Sequence, residues 1–473
     1  MSISDMYSYK LLIPLFCSLL SFLQTLPQTV QERLRVAVKK FEADPQMRHA
    51  ILSFEVANAR TGAVVFERNS QTGLAPASCQ KLFTSAAAFE LLGPDYRFAT
   101  KLGYAGVIGD GILQGDLFIA GSGDPTLGSA RYAGTHDTII LQRWARAIER
   151  VGIRQVRGRI LADRGRYGTQ SIPNGWIWED IDNYYGAGAW PLNWKENQYD
   201  LYLEPGDTVG ALARVVRTDP LSALAAGWVS EVITAGPGSG DHANIYYPAG
   251  GMVAYVSGTI PLQKGAFVIS GSIPNPPGVA AVMLEEYLDK GRKMVMEGRR
   301  DYISPEHVTM IDTFYSPRLD SINYWFLKKS INLYGEALLN TLGFEKTGMG
   351  STEKGLGVLL DFWSLQGIER SAIHITDGSG LSPQNRVTTD ALVKVMLFAR
   401  TRPWFSSFYN SLPEINGMRM KSGSIGGARS YSGYQAGTDG KQYVFSVIVN
   451  NYDGSPGEVV KKLFVILNIL KGG

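Results

Sequence analysis

Ser78 and Lys81 stand three residues apart in Ala75-Pro76-Ala77-Ser78-Cys79-Gln80-Lys81-Leu82-Phe83, ahead of a run of helix formers that stops at Gly93. On a helix this spacing places a hydroxyl and an amine on one face, about one turn apart. A serine at a helix start with an amine one turn on makes an activated nucleophile without histidine. The plain alternative is an N-cap serine beside a solvated lysine, and S-x-x-K alone does not decide between them. Three further polar groups lie downstream. Ser330-Ile331-Asn332 falls within a helical pattern over 325–342, Asp377-Gly378-Ser379-Gly380-Leu381-Ser382 is turn-rich, and Lys421-Ser422-Gly423-Ser424 precedes the strand-like run 443–449. Singly, these read as a helix-surface pair, a β-turn and a strand end with a glycine bulge.

Taken in order, S-x-x-K, S-x-N and K-[TS]-G resemble the motif set of the penicillin-recognising serine enzymes. The residue types suit acyl transfer. Ser78 attacks an amide and a neutral Lys81 accepts its proton, while the charge of Lys421 favours a neutral Lys81 by repulsion. Ser330 relays a proton to the leaving nitrogen and Asn332 binds the substrate amide. Lys421, Ser422 and Ser424 offer cation and hydroxyls to a substrate carboxylate, and Gly423 permits close approach of a ligand backbone. The N–H of Ser78 and one from the Lys421 strand can form an oxyanion hole.

Ser78 and Ser330 are separated by over half the chain, far more than in compact β-lactamases. That interval, with Gly123-Asp124-Pro125-Thr126-Leu127, Trp176-Ile177-Trp178-Glu179-Asp180 and the 377–382 loop, resembles the D-alanyl-D-alanine carboxypeptidase/endopeptidases of the penicillin-binding protein 4 type. The resemblance spans roughly residues 35 to 470. It implies an α/β (α+β) transpeptidase/β-lactamase-like domain, an antiparallel sheet flanked by helices, with a large mainly-β insertion. It also implies a hydrolase that cleaves terminal D-Ala from peptidoglycan stem peptides, and D-Ala–diaminopimelate crosslinks as a second substrate, with β-lactams as covalent inhibitors. By the same resemblance Asp180 faces the cleft and meets the free amine of diaminopimelate, with Tyr185 lining that subsite. The chain departs from relatives in Ser422 for threonine, Ile331 for a frequent aspartate, and Pro383 for a substrate-contacting arginine. A β-lactamase or esterase on the same scaffold, and a non-catalytic peptidoglycan-binding protein, are the alternatives; the intact set Ser78, Lys81, Ser330, Asn332 and Lys421 speaks against the latter. Glu336-Ala337-Leu338-Leu339-Asn340 mimics the water-activating E-x-x-x-N of class A β-lactamases, but it shares a predicted helix with Ser330 and reads as helix interior.

A length of 473 residues, 45% hydrophobic and 19% charged, allows two or three domains with real cores. A net charge of +3 without a Lys/Arg run excludes a nucleic-acid footprint. Five scattered histidines and two cysteines, Cys17 and Cys79, leave no metal motif, so no metal or cofactor is expected. Lys10 followed by the apolar run 11–23 reads as a signal peptide over 1–25, with an uncleaved anchor as runner-up. The mature chain is then exported to the periplasm or cell envelope with at most peripheral membrane contact, and Cys79 serves packing.

Helices are expected at 30–43, 82–92, 138–151 and 279–289, and a hairpin at 50–67. Short glycine-bounded strands begin near residue 99 and end near 272, and aromatic residues crowd 175–202. The expected organisation is a discontinuous catalytic domain, 26–98 and 276–473, interrupted by β-rich residues 99–275.

Overall fold

A computed structural model describes residues 28–163, 167–168, 170–221, 227–248, 251–289 and 308–472. The candidate leader at 1–25 lies outside the described residues. Among those described, no helix is long and apolar enough to cross a membrane.

A six-stranded antiparallel sheet carries the catalytic half. Its strand order is Glu414–Ile415, Met418–Ile425, Ala428–Ala436, Gln442–Asn450, Ile51–Asn58 and Val64–Arg68. The first and last thirds of the chain thus meet side by side, with Ile51 opposite Asn450. Strand Gln442–Asn450 shows why both faces must be covered. Val444 and Ile448 enter one core with the Ser78 and Asn332 helices, while Phe445, Val447 and Val449 enter another. Period-two alternation sends odd and even residues to opposite faces, and here both are apolar. Helices Val30–Glu42 and Pro456–Asn468 close the second face through Leu34, Val38, Phe41, Leu463 and Ile466. Thr29 and Glu32 form a capping box at the start of the first.

The inserted region builds its own core and sheets. Ala99–Gly109 and Ile112–Ala120 form a hairpin, joined on one edge by Gln155–Arg157 and Ile160–Asp163. Two three-stranded sheets follow, one of them Phe267–Ser272, Gln198–Glu204 and Arg214–Asp219. The expected boundary at 275/276 is corrected. Helix Pro276–Asp289 buries Val279, Ala280, Leu284 and Leu288 in the inserted core, and strand Thr309–Tyr315 pairs with Ala99–Gly109. The chain rejoins the catalytic core only at helix Leu319–Lys329. The proline-rich change of texture near 275 marks a helix start inside the insertion, not its end.

A second correction concerns the helical pattern over 325–342. It is two helices, Leu319–Lys329 and Asn332–Thr347, separated by Ser330 at φ 58°, ψ 38° and an extended Ile331. Apolar periodicity runs through the break because both helices bury leucines in the same core. A left-handed serine costs on the order of 1 kcal/mol, and it makes a corner at the functional motif.

Candidate active site

Ser78 lies in a single 3₁₀ turn, Ala77–Gln80, that leads into the helix Lys81–Leu92 closed by Gly93 at φ 85°. No side chain caps either start, so Ser78 is not an N-cap. The turn is held from two sides. Ser430 Oγ donates to Pro76 O at 2.5 Å, and Cys79 Sγ donates to Lys421 O at 3.2 Å. Cys79 is fully buried, in the packing role expected of it. A Cβ added at Gly423 would sit 2.4 Å from Pro76 O and 2.9 Å from Ser78 N. The glycine is therefore required by the nucleophile's own backbone, a demand separate from the ligand approach expected of it.

Lys81 is wholly buried, and its amine meets three oxygens: Asn332 Oδ1 at 2.6 Å, Ser379 O at 2.8 Å and Ser78 Oγ at 3.0 Å. The Asn332 amide is oriented by its Nδ2, which donates to Tyr185 O at 2.7 Å, so Oδ1 must face Lys81. Carbonyl and amide oxygens only accept. A neutral amine has two N–H donors and one lone pair, so the two obligate acceptors consume the donors and the lone pair falls to the Ser78 hydroxyl. Burial, and next the charge of Lys421, push the amine well below its ordinary pKa, against the pull of Asp377 and Glu336. Geometry and electrostatics agree on an amine poised to take the Ser78 proton.

The Asp377–Ser382 turn, read from sequence as a loop, is the keystone of the site. Asp377 is 0% exposed, and five donors converge on its carboxylate. Oδ1 accepts from Gln80 Nε2, Gly380 N and Asn385 Nδ2, and Oδ2 from Trp176 Nε1 and Ser382 N, all within 2.7–2.9 Å. Gln80 and Trp176 come from the Ser78 turn and the inserted region, so one carboxylate fastens both to the loop. Thr84 Oγ1 adds a bond to Gly378 O at 2.7 Å. Sequence reasoning missed Asp377 and Gln80; an acid inside a D-G-S-G turn was the available signal.

Lys421 lies on strand Met418–Ile425, buried, with its amine donating to Ser422 O at 2.7 Å. Burial pulls its pKa down to about 8. Among the described residues, the strand's outer side is paired at Met418 and Arg419 by the two-residue strand Glu414–Ile415, with Met420 N–H also bonded to Pro413 O. Residues 421–425 therefore offer an open edge beside Ser78, where an extended peptide can add as a strand. Ser424 Oγ accepts from Arg429 Nη1. The hydroxyls of Ser330 and Ser422 take no part in the bonds around Lys81.

Tyr185 reaches the site from the inserted region, and Asp180 interacts with the Tyr185 side chain. Asp180, in the short helix Trp178–Ile181, is half-buried and pushed up to about 6 by desolvation and by Glu179, with Tyr185 opposing. Tyr185 touches the catalytic cluster through its carbonyl, the acceptor of Asn332. Of the two tryptophans in this stretch, Trp176 is buried and bonded to Asp377, whereas Trp178 is 47% exposed and stacks on Tyr246.

Residues 34–468 match the D-Ala-D-Ala carboxypeptidase 3 (S13) family. The chain belongs to this family of serine peptidases. It is 27% identical over 454 residues to the D-alanyl-D-alanine carboxypeptidase of Actinomadura sp. (strain R39), covering 89% of this chain and 81% of that one. It is 22% identical to the D-alanyl-D-alanine carboxypeptidase DacB of Haemophilus influenzae, with 87% of each covered. The crystal structure of penicillin binding protein 4 from H. influenzae superposes with a TM-score of 0.76 at 19% identity, over 93% of this chain and 99% of that one. The S13 fold is thus shared across essentially the full described chain, insertion included, as the resemblance implied.

Proposed function

We propose that this S13 peptidase cleaves the terminal D-Ala from peptidoglycan stem peptides through an acyl-enzyme on Ser78. The observation that carries the reading is the Lys81 amine, whose two donors are taken by Asn332 Oδ1 and Ser379 O. Its lone pair removes the Ser78 hydroxyl proton as Oγ attacks the penultimate D-Ala carbonyl carbon. The C–N bond then breaks as the Ser330 hydroxyl gives its proton to the leaving D-Ala nitrogen and is reprotonated from Lys81, which returns the amine to its neutral form. Water hydrolyses the ester, with Lys81 again as base, and restores Ser78. The substrate lies along the open edge of 421–425, where Lys421, Ser422 and Ser424 receive its terminal carboxylate and Asn332 its amide. The N–H groups of Ser78 and of that strand polarise the reacting carbonyl.

Catalytic groups come from the two outer segments of the chain, whereas Asp180 and Tyr185 come from the insertion and receive the distal amine of diaminopimelate. The same placement would serve D-Ala–diaminopimelate crosslinks, which makes endopeptidase action the second reading. β-Lactams enter as substrate mimics whose acyl group leaves slowly. The leader at 1–25 supports export to the cell envelope as the setting.

Purified protein incubated with pentapeptide and crosslinked muropeptides should release D-Ala and shorten the peptide by one residue, as read by mass spectrometry. Fluorescent penicillin should label Ser78, and Ser78→Ala should abolish the label in a folded protein. Labelling that survives on Cys79 would refute the assignment.

A further inference from the structure

The site holds one buried acid that the reaction scheme does not use. Glu336 is 1% exposed in the helix Asn332–Thr347, one turn beyond Asn332, so the helix face that presents the amide to Lys81 presents the carboxyl as well. Glu336 Oε2 accepts the N–H of Gly378 at 2.9 Å, and the carbonyl of the next residue, Ser379, is the one that orients Lys81. Helix and turn meet without a spacer: a Cβ on Gly378 would lie 2.5 Å from Gly335 O, and one on Gly335 would lie 3.0 Å from Gly378 O. Two polar atoms are left over at this contact. Glu336 Oε1 and Ser379 Oγ are both buried with no hydrogen-bond partner. A dry carboxylate served by one N–H is expensive, whereas a neutral carboxyl is not, and its proton supplies a donor for the unpaired oxygens.

We infer that Glu336 is a positioning residue that stays protonated at neutral pH, bracing the Asp377–Ser382 turn against the helix and so setting the carbonyl that orients a neutral Lys81. The inference rests on the reading of Lys81 as the base. The charged groups around the carboxyl are Asp377 from the turn and Lys81 from the Ser78 helix; Lys421, from the sheet, acts on Lys81 in turn. Burial first, then the charge of Asp377, raises Glu336 to about 8, against the opposing Gly378 N–H and Lys81. Below that pH the residue adds no negative charge beside the amine. Above it, ionised Glu336 draws a proton onto Lys81 and removes the base.

The test compares penicillin acylation rates of the full-length wild type, Glu336→Ala and Glu336→Gln across pH. Glu336→Ala should acylate at least about tenfold more slowly at pH 7, because the turn loses its brace. Glu336→Gln, which retains an uncharged acceptor for Gly378, should recover most of that loss. The ratio of the Gln rate to the wild-type rate should then climb by about threefold or more toward pH 9.5, since only the wild type gains a charge. Lys421 titrates in both proteins and cancels from this ratio. The difference spectrum of wild type minus Glu336→Gln should show the infrared carbonyl band of a buried protonated carboxyl at pH 7 that fades by pH 9.5, Glu55 being common to both proteins. A pH-independent ratio, or a spectrum without that band at pH 7, overturns the inference while acylation on Ser78 stands. Absence of wild-type acylation with the band present refutes the function and leaves the protonated Glu336 intact.

Discussion

Replacing Lys81 by methionine isolates what its amine does, because methionine matches the stem in length and shape and lacks only the nitrogen function. The structural cost follows from the three contacts at 2.6, 2.8 and 3.0 Å. Asn332 Oδ1 and Ser379 O each lose their donor in a site closed to water, at about 1–3 kcal/mol apiece. Removing a desolvated amine and burying a thioether offset part of this, which leaves a net destabilisation on the order of 2–4 kcal/mol. The kinetic cost is larger. Loss of a positioned general base costs about 10²–10⁴ in rate, and Asn332 loses the contact that fixes its oxygen. Stopped-flow labelling with fluorescent penicillin gives the acylation rate, and urea denaturation gives the stability. We expect a fall of about a thousandfold in acylation in a protein that still unfolds cooperatively. A Lys81→Met protein that acylates within tenfold of wild type would show that another group is the base. Lys81→Arg cannot accept a proton either, but it must fit a larger head into a filled site at a further ~1–3 kcal/mol, so methionine is the cleaner probe.

Gly423→Ala should abolish acylation, because its Cβ would lie 2.4 Å from Pro76 O and 2.9 Å from Ser78 N; wild-type labelling kinetics in this variant would contradict the packing described. Asp377→Asn replaces one of two acceptor oxygens by a donor where five donors converge, setting donor against donor for at least two of them, and should cost roughly 3–6 kcal/mol in urea unfolding. A loss under 1 kcal/mol would mean the turn is held elsewhere. The folded pKa of Lys421, about 8, lies below its ordinary value of 10.5. The charged grip on a substrate carboxylate is therefore present at pH 7 and lost as pH rises through 8. KM for a D-Ala-D-Ala peptide should rise over that range, and a flat KM up to pH 10 would remove Lys421 from that role. Conversely, the burial cost of this cation is relieved between 8 and 10.5, so its contribution to stability improves there. Asp180→Ala should slow cleavage of diaminopimelate-containing peptides by about ten- to a hundredfold and leave penicillin acylation nearly untouched; equal losses on both would make Asp180 structural.

The class of fold was legible in the sequence, as were the polar groups that folding brings together around Lys81. Ser78, Lys81, Asn332 and Lys421 are legible because acyl transfer restricts residue type and spacing within each short motif. The sheet is legible because the run of aromatic and β-branched residues over 443–449 is a local property of a strand. Element ends were close as well, as at Gly93, where local backbone preference decides the stop. Three things were decided only by tertiary contact. The break at Ser330 is invisible to periodicity, since both flanking helices bury leucines in one core and the left-handed corner is imposed by packing. The return of the chain at 316–319 depends on Thr309–Tyr315 pairing with a strand some two hundred residues earlier, a distance no window of sequence spans. The protonation of the site is likewise non-local. Lys81, Glu336 and Lys421 come from three separate stretches, and their charges are set by shared burial and by the charges folding brings near them. A linear sequence names the ionisable groups; only folding brings them close enough, and dry enough, to determine which of them keep their protons.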